Sequence, residues 1–147
     1  MKIEIENGKL GAASNFLYGI ILVRKQSRHR RHLIELIGER LERVEKDRKE
    51  LLEAHSNKDE NDEAIINDGQ YDIKDMVAFS NDQKDLYKET LVIEGGDNRE
   101  MIRTMKVVLK KLEDEEYKAQ ESDIYDYLCD QFEIDEENTV EEKEGDQ

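Results

Sequence analysis

The feature that most constrains this chain is a helical periodicity that runs from Arg24 to about Asn57. Residues of one seam recur there at alternating steps of three and four, and no proline interrupts them. The seam consists of Ile34, Ile37, Leu41, Val44, Arg48, Leu51 and His55. A helix of this extent is about 50 Å long at 1.5 Å per residue, which is more than a small domain can surround. We therefore predict a second long helix beside it, from this chain or from a partner.

The second half of the seam is less apolar than the first. Arg48 and His55 stand at seam positions where leucine would be more stable. Polar residues at such positions lower stability and set the register or the choice of partner. The alternative is that this end of the helix frays into solvent, and the sequence favours that interpretation.

A second helix and two strands are predicted to complete the fold. Residues Met101 to Leu112 place their apolar side chains on one face, which suits the apolar first half of the long helix. Met1–Glu6 and Thr90–Glu94 alternate between apolar and polar residues, so we expect two strands of one small sheet. The predicted fold is mainly α. It has a long antiparallel helical hairpin with a small antiparallel β element in one domain over residues 1–134, and a disordered acidic C-terminal tail over 135–147.

Local signals predict further boundaries. Leu10 to Leu22 suits a short helix that is buried at its far end. Asn67-Asp68-Gly69 predicts the turn of a small hairpin, because these residue types tolerate positive φ. Helix starts are predicted at Asp75 as an N-cap, at a capping box formed by Asp97 and Glu100, and at Ser122.

Negative charge is concentrated at the end of the chain. Charged residues make up 41% of the sequence, against about 25% in typical soluble domains. Residues 112–147 contain sixteen acidic residues and two lysines, a balance of −14, whereas the other 22 acidic and 21 basic residues balance to −1. Acidic end segments usually keep a protein soluble. A more specific interpretation is that the negative charge of this segment mimics nucleic acid and binds a basic protein.

A basic cluster stands at the start of the long helix. It comprises Arg24, Lys25, Arg28, Arg30 and Arg31, with no acidic residue among them. Positive charge opposes the dipole at a helix N-terminus, where acidic residues are favoured by about 0.3–1 kcal/mol. The anionic counterpart could be the chain's own Glu113–Glu116, an acidic protein partner or phosphate. We narrowly expect internal pairing, and these five cations are our candidate partner-binding residues. Nucleic acid is disfavoured because no aromatic residues interleave the cluster and the whole chain repels phosphate.

Residues that could support catalysis or metal binding form no convincing site. His29 and His32 lie three residues apart, but no second ligand pair stands near them and the neighbouring cations repel Zn²⁺. Residues 59–63 resemble the start of a calcium loop, but Ala64 stands where that loop needs glycine and no glutamate closes it. The single Cys129 is surrounded by acidic residues, which disfavour a reactive thiolate. We predict no enzyme, no metal site and no cofactor.

Several short motifs follow one another in a recognisable order. They are Ile5-Glu6-Asn7-Gly8-Lys9-Leu10, Lys25-Gln26-Ser27-Arg28-His29-Arg30, Lys58-Asp59-Glu60-Asn61, Asp68-Gly69 and Leu91-Val92-Ile93-Glu94. This order resembles a group of small phage and prophage proteins of unknown function from Gram-positive bacteria. The group tends to carry glycine just before the Lys-Gln-Ser-Arg motif, where this chain has Val23 and Arg24. The resemblance implies a phage origin and supplies no catalytic residues.

These observations predict a phage-encoded, non-enzymatic protein–protein interaction protein. It would act as an assembly factor or adaptor through its helical hairpin, in the cytoplasm of the host bacterium. Its partner would be a phage or host protein, with a homo-oligomer through the long helix as a further option. We expect no direct contact with nucleic acid and none with a membrane, since the apolar stretch Leu17–Val23 is far too short to span one. The alternative is an acidic inhibitor of a host nucleic-acid-binding or antiphage defence protein.

Overall fold

Helices dominate the fold, as predicted. The computed structural model describes residues 1–134. These residues form five α-helices: α1 (Leu10–Tyr18), α2 (Arg24–Ala54), α3 (Met76–Lys88), α4 (Arg99–Lys111) and α5 (Ala119–Gln131). The predicted disordered tail over 135–147 lies outside the described residues.

The long helix is confirmed as α2. It has 31 residues and is therefore about 46 Å long. Its buried residues are Leu33, Ile37 and Val44, which lie on one stripe. The first half of this stripe joins the main hydrophobic core with residues of α1, α4 and α5. α2 packs against α1, α3 and α4, which have 9, 13 and 13 residues. The expectation of a second long helix is therefore wrong for the described residues, because three shorter helices of the same chain cover α2.

The far end of α2 does not fray. His55 follows its last residue, and the Nε2 atom of His55 lies 2.6 Å from Oδ2 of Asp82 on α3. The His55 ring also meets the Phe79 ring edge to face, with centroids 5.9 Å apart. The next residue, Ser56, is buried. The expectation of a frayed end is therefore wrong, because α3 packs against it.

The predicted small sheet is confirmed. β1 (Lys2–Glu6) pairs antiparallel with β4 (Thr90–Glu94), and β2 (Ile66–Asn67) pairs antiparallel with β3 (Gln70–Tyr71). In the first pair Ile3 lies opposite Ile93, and Ile5 lies opposite Leu91. The side chains of Ile3, Ile5 and Ile93 are buried. Alternation therefore predicted both the pairing and the face that the sheet turns to the core.

The turn between β2 and β3 is also as predicted. Asp68 has a φ of 51° and Gly69 has a φ of 79°. Two successive residues with positive φ are what a two-residue type I′ hairpin turn requires.

A buried polar junction ties the sheet to the helices. Asn7 directly follows β1, and its Nδ2 atom donates to the Leu86 carbonyl at 2.8 Å. Its Oδ1 atom accepts from Arg40 Nε at 2.9 Å, and Arg40 Nη2 donates to the Thr90 carbonyl at 3.3 Å. The backbone N–H of Asn7 donates to the Glu89 carbonyl at 2.8 Å. Asn7 thus connects the end of β1 with α2 and α3, and Arg40 extends the junction to the start of β4.

The helix starts were predicted with mixed success. Asp75 is a confirmed N-cap, since its Oδ1 atom accepts from the N–H groups of the second and third following residues at 3.1 Å each. The capping box of Asp97 and Glu100 is wrong. A short 3₁₀ turn over Gly96–Asn98 precedes α4, and the Glu100 carboxylate instead accepts from Arg103 one turn later.

The last two helices carry the apolar faces that the sequence predicted. The buried residues of α4 are Met101, Ile102, Met105, Val108 and Leu109. α5 begins at Ala119 rather than at Ser122, and it buries Ile124, Tyr125 and Leu128. The Tyr125 hydroxyl donates to the Leu109 carbonyl at 2.7 Å, which joins α5 to the last turn of α4.

Candidate functional site

Arg30 differs from the other cations of the basic cluster, because it caps another helix. Its Nη1 atom donates to the carbonyls of Leu17 at 3.3 Å and Tyr18 at 3.4 Å, and also to the carbonyl of Ile20. These carbonyls lie at the end of α1, where the helix dipole favours a positive charge. The partial negative charge of these carbonyls therefore balances the positive charge of Arg30, and Arg30 stabilises the end of α1.

The expected pairing of the basic cluster with Glu113–Glu116 is wrong. Within residues 1–134 no ion pair joins these two groups. Glu113 instead lies 2.9 Å from the ammonium group of Lys110, three residues earlier. The last turn of α4 thus supplies a lysine that is closer to Glu113 than the arginines of α2.

The other four cations face solvent. Arg24, Lys25, Arg28 and Arg31 are exposed along the first two turns of α2, and we call them the exposed cations. In the part of the chain that the structure describes, none of them forms an ion pair with an acidic side chain. They therefore remain candidate partner-binding residues, whereas Arg30 is engaged by α1.

An exposed apolar ridge immediately precedes the exposed cations in the chain. It consists of Tyr18, Ile21 and Val23, whose exposed fractions are 77%, 99% and 69%. The predicted helix over Leu10–Leu22 ends earlier than expected, because α1 stops at Tyr18 and Gly19 caps it. The expected burial at the far end of that helix is consequently wrong for Ile21. The connection between α1 and α2 carries this side chain into solvent.

Two grooves flank this connection. The first groove has a volume of about 710 Å³ and lies between α1 and the start of α5. Phe16, Tyr117 and Ile124 contribute its apolar lining, and Glu115 and Glu121 contribute its acidic lining. The rings of Phe16 and Tyr117 meet edge to face, with centroids 5.3 Å apart. Aromatic packing thus fixes the wall of an open apolar groove.

The second groove lies on the opposite side of the connection. Its volume is about 280 Å³, and it lies between the start of α2 and the end of α4. Gln26, Val108 and Lys111 line it, while Ile20, Ile21 and Leu112 line both grooves. Among the described residues, Glu115 and Glu121 add negative charge to the first groove, whereas Lys111 adds positive charge to the second groove.

His29 connects α2 with α4. Its Nδ1 atom lies 2.6 Å from Oγ1 of Thr104 on α4. Burial lowers the pKa of His29 below its ordinary value of 6.5, and the positive charges of Arg28 and Lys25 lower it further. This histidine is therefore held in its neutral form between α2 and α4.

Neither a group of metal ligands nor a membrane-spanning helix is found among the described residues. Over residues 1–134 no three His, Cys, Asp or Glu side chains are grouped so that they could hold a metal ion. Cys129 is half-buried against the core. None of the helices in this part of the chain is both long enough and apolar enough to cross a membrane.

Comparison with known proteins adds no relative. No protein-family model, no curated protein and no solved structure matches this chain. The candidate site therefore rests on the geometry of the α1–α2 connection and its neighbours.

Proposed function

We propose that this protein is a phage-encoded, non-enzymatic protein–protein interaction protein. The observation that carries the proposal is the apolar ridge of Tyr18, Ile21 and Val23, which is exposed and immediately precedes the exposed cations in the chain. Contiguous exposed apolar surface with a polar rim is typical of a binding site. Its partner is an acidic phage or host protein in the bacterial cytoplasm. The phage origin rests on the resemblance of the sequence motifs.

This surface lies at one end of an antiparallel helical hairpin formed by α2 and α4. Two contacts support that arrangement. His29, early in α2, meets Thr104 within α4. Arg40, three turns later in α2, meets Thr90, which precedes α4 in the chain. The start of α2 thus contacts α4, and a later part of α2 contacts the strand that leads into α4, as antiparallel packing requires.

The parts of the surface have different roles in binding. The ridge offers one aromatic and two aliphatic side chains, and apolar side chains at the centre of an interface supply most of its affinity. The exposed cations lie at its rim, where charges mainly raise the association rate and select the partner. An acidic protein partner fits the exposed cations better than nucleic acid, because no aromatic residues that could stack on bases interleave them.

The proposal is tested by placing a photo-crosslinking amino acid at position 18 in the host cell. We expect a covalent adduct with a protein other than this chain, and we expect that adduct to disappear when Arg28→Gln and Arg31→Gln are introduced together. The control carries the same probe at Val77 of α3, which is 72% exposed and lies outside the proposed surface. No adduct at position 18, or the same adduct at position 77, would contradict the proposal.

A second candidate function is an acidic inhibitor of a host nucleic-acid-binding or antiphage defence protein. It is favoured by the balance of −14 over residues 112–147, a segment that includes near its start the four exposed acids of Glu113–Glu116. Deleting residues 135–147 tests it. For an inhibitor, the deletion lowers affinity for a basic partner and weakens its salt dependence, since exposed charges are screened over about 8–10 Å at physiological ionic strength. For the interaction protein that we propose, the deletion leaves partner binding unchanged.

A further inference from the structure

We propose that the α1–α2 connection also joins two copies of this chain into a two-fold symmetric dimer. The ridge of each copy enters the first groove of the other. This inference goes beyond the proposed function, because it concerns the purified chain alone and requires no other protein.

The first argument is the shape of the surface. A two-fold dimer brings the same patch of each copy together, so that patch must carry both a projection and a matching concavity. Ile21 projects with 99% of its surface exposed. The first groove, of about 710 Å³, opens beside it and is lined by Phe16, Tyr117 and Ile124. One patch therefore offers an apolar projection and an apolar groove of ample size to receive it.

The second argument is the placement of charge. Glu115 and Glu121 line the first groove, whereas Lys111 lines the second groove and Arg24 follows the ridge. The connection lies between these two sides. A two-fold rotation places the acidic side of one copy opposite the basic side of the other, so that opposite charges meet across the contact. The same surface is thus complementary to itself in charge as well as in shape.

An anionic lipid surface is the main competing occupant, because it also attracts apolar side chains beside cations. The acidic side opposes that contact, since Glu115 and Glu121 lie on the face that would meet the headgroups. The basic side of a second copy attracts these two carboxylates, whereas the anionic headgroups of a bilayer repel them.

The experiment is sedimentation equilibrium of the full chain over a wide range of concentrations. The monomer has a mass of 17.3 kDa, and we expect a species of twice that mass at high concentration. Ile21→Asp should weaken the dimer by at least about tenfold, which corresponds to about 1.4 kcal/mol. Val77→Asp is the matched control on α3 and should leave association unchanged, and thermal melts of both variants check that they fold.

Charge reversal provides the second test. Glu115→Lys with Glu121→Lys, and separately Arg24→Glu with Lys111→Glu, should each weaken association. Mixing the two reversed chains should restore it, because each acidic surface again meets a basic one.

The proposal is overturned if the chain stays monomeric at every concentration, if Ile21→Asp associates as well as the wild type, or if mixing restores nothing. A monomeric chain whose Ile21 is needed for binding to phosphatidylserine vesicles would assign the surface to lipid instead. None of these results depends on the crosslinking experiment, so the two proposals can fail separately.

Discussion

Removing the amide of Asn7 should lower the free energy of unfolding by about 2–4 kcal/mol. The side chain is buried, donates to the Leu86 carbonyl at 2.8 Å and accepts from Arg40 Nε at 2.9 Å. In Asn7→Ala both partners lose their hydrogen bond, and a buried group left unsatisfied costs about 1–3 kcal/mol. Arg40 is only half-buried and can reach water, so its loss belongs at the low end of that range.

The assay is thermal and urea unfolding followed by circular dichroism. In a domain of this size each kcal/mol lowers the Tm by at least about 2 °C, so we expect a drop of at least about 4 °C. Asn7→Asp should be destabilised too, because it keeps the acceptor for Arg40 but turns an oxygen towards the Leu86 carbonyl. Asn81→Ala, at an exposed site on α3, is the control and should change stability by less than about 0.5 kcal/mol. An Asn7→Ala chain that unfolds like the wild type would refute this role for the junction.

Three further predictions concern the core and the turns, and each is checked by the same unfolding measurements. Gly38→Ala should stabilise α2 by about 0.5–1 kcal/mol, because no atom lies within 4 Å of the position of the added Cβ. Gly69→Ala should destabilise the protein by about 1–2 kcal/mol, because Gly69 has a φ of 79°. Equal effects of the two substitutions would contradict both assignments. Ile37→Ala, at a fully buried site, should cost about 2–5 kcal/mol, and Leu41→Ala should cost less because it is half-buried; the reverse order would show that the buried stripe is misassigned. Burial raises the pKa of Tyr125 above its usual 10, so above pH 10 the folded chain keeps a proton that the unfolded chain loses. The free energy of unfolding should therefore fall as the pH rises above 10. Tyr125→Phe should make that fall shallower.

Local signals predicted those parts of the fold that neighbouring residues decide. The alternation in β1 and β4 predicted their pairing, because a buried face fixes the register of a strand. Asp68 and Gly69 predicted the hairpin turn, and Asp75 predicted its cap, since each feature depends on a few adjacent residues. The apolar face of α4 was likewise visible as a helical period.

Features that depend on residues distant in the sequence were missed. The role of Asn7 was missed, because its partners stand 33 and 79 residues away. One signal was available, because Arg40 lies on the same stripe of α2 as the buried Leu33, Ile37 and Val44. A cation on a buried stripe needs a polar partner, and that partner is Asn7.

The candidate site was predicted in part. The basic cluster was recognised, but the different role of Arg30 was not, because it depends on where α1 ends. The position of Gly19 sets that end, and the apolar residues after it read as a continuation of the helix. Ile21 was therefore expected to be buried, and its exposure follows only from the path of the connection between α1 and α2.

The central claim is that one arginine of the basic cluster supports the fold while the exposed cations bind a partner. It is tested most directly by measuring the Tm and the yield of the adduct from position 18 side by side, in Arg30→Gln and in the double variant Arg28→Gln with Arg31→Gln. We predict that Arg30→Gln lowers stability by about 1 kcal/mol, because it loses its bonds to the end of α1, and that it keeps the adduct. The double variant should melt like the wild type and lose the adduct. An unchanged Tm in Arg30→Gln together with an undiminished adduct in the double variant would contradict the account.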